Sequence, residues 1–196
     1  ASNLKAQFSS DGGATFIPIA LSGLPSATSS LFEVFLSPNS EKMFVSVAYN
    51  KGLFRTTDYG ASWRRIDNGD GSTNESDDLY ATFAYEKNGT IYVGRNALPG
   101  SPKTTNAVVI KSTNDGEQWS YMINGWDNRD VTNNRISAIS FGANGDMWVT
   151  TEKNSGPFKG TNYGEVFTIV KDGLAGDGAC SGVVVTKDNH VFIAPT

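Results

Sequence analysis

The sequence predicts an all-β fold assembled from repeated four-stranded units, and three observations carry that expectation. Short runs rich in β-branched and aromatic residues alternate with turn residues along the whole chain, and no stretch keeps a helical period. One eight-residue pattern recurs at four places. The copies are spaced by roughly the length of four short strands with their turns.

The clearest copy is TTDYGASW at 56–63, with Thr56, Asp58, Gly60 and Trp63 at fixed offsets. Such a stretch needs a tight turn. An aspartate can accept hydrogen bonds from amides just after it, a glycine can take a positive φ, and the closing aromatic begins a segment that must be buried. SSDGGATF repeats the offsets with Ser9, Asp11, Gly13 and Phe16. STNDGEQW repeats them with Ser112, Asn114, Gly116 and Trp119, and GTNYGEVF with Gly160, Asn162, Gly164 and Phe167. The aromatics fall at 16, 63, 119 and 167, a period of roughly fifty residues that belongs to propeller blades or similar arrays.

Between these marks the strands fall in fours. The first complete unit reads LFEVFLS, KMFVSVAY, GLFRTT and SWRRI within 31–66. The second reads LYATFAY, TIYVGR, AVVIKST and QWSYMI within 79–123, and the third ISAISF, DMWVTT, GPFKGT and VFTIV within 136–170. Each repeated turn then joins the third strand of a unit to its fourth. The chain ends on SGVVVT and HVFIAPT (181–196), which read as the first two strands of a unit. It begins with LKAQFS and ATFIPIA (4–20), which read as the last two. Residues 1–196 are therefore expected to form one domain, a closed four-bladed β-propeller whose fourth blade joins the two termini and removes exposed edges. The alternative is an arc of a larger propeller, alone or paired with a second chain.

The repeated turn resembles the Asp-box, or BNR repeat, of sialidases, tandem-propeller xyloglucan-hydrolysing enzymes, sortilin-type receptors and photosystem assembly factors. The resemblance covers nearly the whole chain and implies a propeller fold; it specifies function poorly. Asn114 and Asn162 replace the family's aspartate and Gly160 its hydroxyl residue. Asparagine still accepts the turn hydrogen bonds, so the turn is expected to be structural rather than a charged or metal-binding site.

Composition narrows the function classes. The net charge of −4 argues against nucleic acid as a partner. No apolar run reads as a membrane span or a signal peptide. A chain that begins at Ala1 is expected to be a processed or excised piece, secreted or otherwise extracytoplasmic. The single cysteine, Cys180, excludes an intrachain disulfide, and the single histidine, His190, excludes a multi-histidine metal centre. Sequons stand at Asn74 and Asn88.

In a propeller the blade-to-blade loops share one face with the second-to-third strand turns, and that face usually holds the site. Three chemistries compete there. Asp67, Asp70, Asp77 and Asp78 offer hard oxygens to calcium, the one cofactor candidate, although Glu75 stands where an EF-hand would need glycine. Trp126 beside Asp127, Asn128 and Arg129 pairs an apolar platform with hydrogen-bonding groups, as a sugar requires. Arg95, Arg129 and Arg135 should approach one another near the second and third blades. The sialidase resemblance implies a carboxylate grip by such arginines, but the family's N-terminal arginine motif is absent and its tyrosine–glutamate pair has no assignable counterpart.

Catalysis is weakly supported. His190 falls on the opposite face and Cys180 in a glycine-rich loop. A glycoside hydrolase needs two carboxylates across a cleft; Asp127 and Asp130, with Asp177 or Glu152, could supply such a pair. The expected function is a non-enzymatic module that binds a glycan or a protein through Arg95, Trp126, Asp127, Arg129 and Arg135. Self-association or a larger parent chain are the other partner expectations. The alternative is a glycoside hydrolase, sialidase-like or xyloglucanase-like, or a fragment of one.

Overall fold

A computed structural model describes residues 7–9, 11–20, 22–24, 31–36, 42–47, 52–66, 81–95, 108–125, 135–153, 156–174, 176 and 178–196. Among them every regular element is a β-strand, and every pairing is antiparallel between neighbours in sequence. The first end hairpin pairs β1 (Gln7–Phe8) with β2 (Ile17–Pro18). Three four-stranded sheets follow in simple meander order. The first holds β3 (Leu31–Leu36), β4 (Met43–Val47), β5 (Gly52–Thr56) and β6 (Arg64–Arg65). The second holds β7 (Ala81–Lys87), β8 (Thr90–Arg95), β9 (Val108–Ser112) and β10 (Ser120–Met122). The third holds β11 (Ile136–Phe141), β12 (Met147–Thr151), β13 (Phe158–Thr161) and β14 (Val166–Ile169). The last hairpin pairs β15 (Cys180–Val185) with β16 (Val191–Pro195).

The core lies between sheets rather than within them. Strand residues alternate faces, so Met43 and Val45 join Phe54 and Trp63 against Ile19 and Leu24 of the first end segment. Phe44 and Leu53 point the other way, meeting Ile91, Val93 and Ile110 of the second sheet. Tyr92, Val109 and Met122 then meet the third sheet through Ile139, Met147, Phe158 and Phe167. Both faces of β4 and β8 are buried, which explains why MFV and IYV read as unbroken apolar runs.

The blades join by a repeated device. The glycine of each turn motif lies against the residue three past the preceding aromatic. A Cβ on Gly60 would stand 2.6 Å from Ile19, one on Gly116 2.6 Å from Ile66, and one on Gly164 2.5 Å from Met122. A main-chain hydrogen bond adds to this: the Trp63 amide donates to the Ser22 carbonyl and the Phe167 amide to the Asn124 carbonyl, both at 2.9 Å. The following residues, Gly23 and Gly125, have positive φ and lie beneath the carbonyls of Trp63 and Phe167. The Trp63 and Trp119 indoles also donate back, to the Ala20 and Ile66 carbonyls at 3.0 and 2.8 Å.

Innermost strands pack in sequence, β3 on β7, β7 on β11 and β11 on β15. The two end hairpins stand as separate two-stranded sheets, and the fourth sheet expected to join them is not formed among the described residues.

Candidate functional site

The repeated turns are built from their own side chains. Thr56 Oγ1 accepts from the Gly60 amide at 2.9 Å and donates to Asp58 Oδ1 at 2.6 Å. Asp58 in turn accepts from the amide and hydroxyl of Ser62 at 2.9 and 2.6 Å. Ser9 and Asp11 repeat this arrangement with Gly13 and Thr15. Ser112 and Asn114 do so with Gly116 and Gln118. At the fourth turn Gly160 has no hydroxyl to offer, so the Gly164 amide donates to the Thr161 carbonyl at 3.0 Å, and Asn162 Nδ2 donates to Glu165. The carboxylates are thus occupied by the turns that hold them.

The same hydrogen bonds hold the acids ionised. Asp58 is lowered to about 2, by the Ser62 hydroxyl first and then the Thr56 hydroxyl and Ser62 amide. Asp11 is lowered further, chiefly by the Thr15 hydroxyl. A depressed carboxylate contributes stability above its unfolded value, near 3.9, and loses it as the pH falls towards the folded value. The thermal midpoint is therefore expected to fall between pH 4 and pH 2, with Asp58→Asn reducing that acid dependence while costing less at pH 7 than Asp58→Ala. Calorimetric scans from pH 6 to pH 2 check this.

The opposite face carries the loop ends. Gly94 packs on the adjacent blade: a Cβ there would stand 2.7 Å from Ile136 Cγ2. That contact sets the backbones of Arg95 and Arg135, each one residue further along, at the same end of neighbouring blades. Arg135 is exposed, and its Nε lies 3.9 Å from Glu152 Oε2, a solvated pair. The Glu152 amide donates to the Arg135 carbonyl at 3.0 Å. One residue further in, the Ser137 hydroxyl donates to the Cys180 carbonyl at 2.6 Å and lies 2.9 Å from the Thr150 hydroxyl, tying β11 to β12 and β15. All four innermost strands shift register just after their first paired residue, at this face. Such irregularities re-aim side chains at functional edges.

The backbones of Arg95 and Arg135 thus stand at the same end of adjacent blades. Trp126, Asp127, Arg129 and Asp130 lie outside the described residues, as do Asp67, Asp70, Asp77, Asp78 and Asp177. Among the described residues no three His, Cys, Asp or Glu side chains gather as a metal site. Cys180 is fully buried, its thiol 3.5 Å from the Gly178 carbonyl, and His190 is exposed beside the β15–β16 turn. Sequence reasoning missed a polar cleft of about 230 Å³ on the turn face, where Lys87, Asn88 and Tyr92 of the second blade meet Tyr163 and Glu165 of the third. The residues that line it come from turns of two different blades, so only blade-to-blade placement reveals it.

No protein-family model matches the chain. It is 24% identical over 168 residues to the xyloglucanase Xgh74A of Acetivibrio thermocellus, covering 78% of this chain and 19% of that protein. The chain therefore spans about a fifth of the length of that curated relative. Among solved structures, the extracellular domain of a one-component system from B. thetaiotaomicron superposes with a TM-score of 0.64 at 12% identity, over 92% of this chain and 22% of that one. A GH74 xyloglucanase from Xanthomonas campestris gives 0.63 at 13% identity, over 87% of this chain and 27% of that one. Its meander sheets, its inter-sheet cores and these likenesses together make the chain a set of β-propeller blades, similar in fold to part of the xyloglucanases.

Proposed function

We propose that the chain is a non-enzymatic, extracytoplasmic propeller module that binds a β-glucan side-chain polysaccharide of the xyloglucan class on its loop face. The placement of the Arg95 and Arg135 backbones at one end of adjacent, packed blades supports this reading, because guanidinium groups carried on strand ends can hydrogen-bond sugar hydroxyls without ordering a loop first. Trp126 and Arg129, which lie outside the described residues, are assigned to the same ligand, with Trp126 as the stacking platform and Asp127 as a hydrogen-bond acceptor. The likeness to xyloglucanases points to the sugar class. It also favours a second reading, in which the chain is part of a glycoside hydrolase and Asp127 and Asp130 act as its acid pair.

Any packing contribution of Trp126 is to be separated from binding. It follows Gly125 as Leu24 follows Gly23 and Leu174 follows Gly173, and Leu24 packs on the next blade's cluster. Calorimetric titration with xyloglucan oligosaccharides is expected to show saturable binding without new reducing ends. Arg135→Ala and Trp126→Leu are each expected to weaken it about tenfold, the loss of about 1.4 kcal/mol, with Trp126→Leu leaving the thermal midpoint unchanged. New reducing ends that vanish in folded Asp127→Asn or Asp130→Asn would establish the hydrolase reading instead. Absence of binding to any oligosaccharide would overturn both.

A further inference from the structure

Three cations hold the same place in successive blades. Arg55, Lys111 and Lys159 each lie opposite the second residue of their blade's second strand, Phe44, Tyr92 and Trp148. Two of them have a carboxylate. Arg55 meets Asp115, from the turn of the following blade, at 2.8 Å, and Lys42 meets the same carboxylate oxygen at 3.2 Å. Lys159 meets Asp146 of its own blade at 2.8 Å. Neither source of a carboxylate exists around Lys111. Thr90 stands where Lys42 and Asp146 stand, and Tyr163 stands where Asp115 does. Lys87, directly across the ladder from Thr90, adds a second cation. Among the described residues neither Lys87 nor Lys111 is ion-paired.

These groups line the cleft of about 230 Å³ between the second and third blades. Its third-blade wall is the one turn that departs from the repeated pattern. In the other three turns the side chains are consumed by the turn's own amides. Gly160 has no hydroxyl, so the Gly164 and Glu165 amides both donate to the Thr161 carbonyl, at 3.0 and 2.9 Å. Asn162 joins Tyr163 in the left-handed region, with φ of 50° and 58°. The Asn162 side chain donates to Glu165 Oε2 at 2.6 Å. Tyr163 is held at both ends. Its amide donates to the Gly145 carbonyl at 2.7 Å, and its ring lies over Gly145, where a Cβ would stand 3.3 Å from Cε2. The half-buried ring is thereby fixed at the cleft wall. Two lysines against the Glu165 carboxylate leave the lining with one net positive charge.

We propose that this cleft is a second ligand site and that it takes a carboxylated monosaccharide unit, a hexuronate. The acid group would sit between Lys111 and Lys87 as the Asp115 carboxylate sits between Arg55 and Lys42 at the preceding joint. The apolar face of the sugar would lie against Tyr163, and its hydroxyls would meet Asn88 and Glu165. A carboxylate there accepts from hydroxyls and repels a second acid group, so it sets the orientation of the ring. Size points the same way. A cleft of about 230 Å³ is smaller than the roughly 300 Å³ at which drug-sized pockets begin, which suits one sugar ring rather than a peptide segment. The site lies on the turn face and is independent of the reading given to Arg95 and Arg135.

Calorimetric titration of the whole chain with methyl glucuronoside, at constant ionic strength, tests this. Saturable binding is expected with a Kd on the order of 1 mM, which a single small ring can reach. Methyl glucoside lacks only the acid and acetate has only the acid; each is expected to bind at least about tenfold more weakly. Lys111→Gln is expected to weaken glucuronoside binding about tenfold with the thermal midpoint unchanged. Tyr163→Asp is expected to abolish it, because the new carboxylate takes the place that Asp115 holds at the preceding joint. Should that variant misfold, Lys87→Gln replaces it, with a loss like that of Lys111→Gln. Arg135→Ala, on the opposite face, is expected to leave glucuronoside binding as it was. Absence of saturable binding overturns the proposal, and so does binding that Lys111→Gln leaves intact or Arg135→Ala removes. Acetate or an acid-terminated dipeptide matching the glucuronoside would overturn the sugar assignment. Xyloglucan oligosaccharides report on the other face, so either site can fail alone.

Discussion

Replacing Gly125 with valine is expected to destabilise the protein by about 3–4 kcal/mol, among the larger effects a single substitution produces. Two costs combine. Gly125 has φ near +76°, where a side chain is strained by about 1–2 kcal/mol. A Cβ there would also stand 2.1 Å from the Phe167 carbonyl oxygen, inside any permitted contact, and backbone cannot yield as a side-chain tip can. Relief requires the third blade to move off the second, stretching the 2.9 Å bond from the Phe167 amide to the Asn124 carbonyl. Gly89→Ala is the control. Its φ is +77° with nothing within 4 Å, so it carries the strain without the collision and should cost about 1 kcal/mol. Urea denaturation of both variants measures the difference, which is the energetic weight of close blade approach.

Phe167→Ala is expected to cost about 3–5 kcal/mol, the range for emptying a buried aromatic site. Phe167 is 1% exposed and packs with Met122 of the second blade and Met147 and Phe158 of the third. Phe16 holds the same place in the repeat but is 59% exposed. Phe16→Ala should therefore shift the single chain's stability by no more than about 0.5 kcal/mol. Equal motifs with unequal costs would show that the neighbouring blade, not the turn, confers the stability. If Phe167→Ala unfolds in two steps, the third blade melts apart from the rest, as repeat arrays do.

The strands were legible because alternation and turn residues are local signals. LFEVFLS, TIYVGR and ISAISF became β3, β8 and β11 within a residue or two. Fourth strands came out shorter than read: SWRRI yields only Arg64–Arg65 and QWSYMI only Ser120–Met122. They are outer edges with one partner each, and Trp63 and Trp119 stand just outside the ladder, their indoles bonded to the Ala20 and Ile66 carbonyls. Pro18 fits the same logic, since an edge strand can spare the missing amide.

The joints between blades were less legible. Ser22–Gly23, Asn124–Gly125 and Asp172–Gly173 stand at nearly constant distance from their aromatics, but a residue-plus-glycine pair reads as any turn until the carbonyl above it is seen. Pairing of the termini likewise depends on ring curvature, which no local pattern encodes. At the candidate site, Arg95 and Arg135 could be placed because each sits at a strand end. The Tyr163 cleft could not, since it forms only where turns of two blades meet.

Amide hydrogen exchange at the joint residues tests the central claim, that one repeated backbone joint links the blades. The Trp63 and Phe167 amides, which donate across blades, should exchange as slowly as those of the inner strands. Fast exchange at Trp63 and Phe167 would contradict the account.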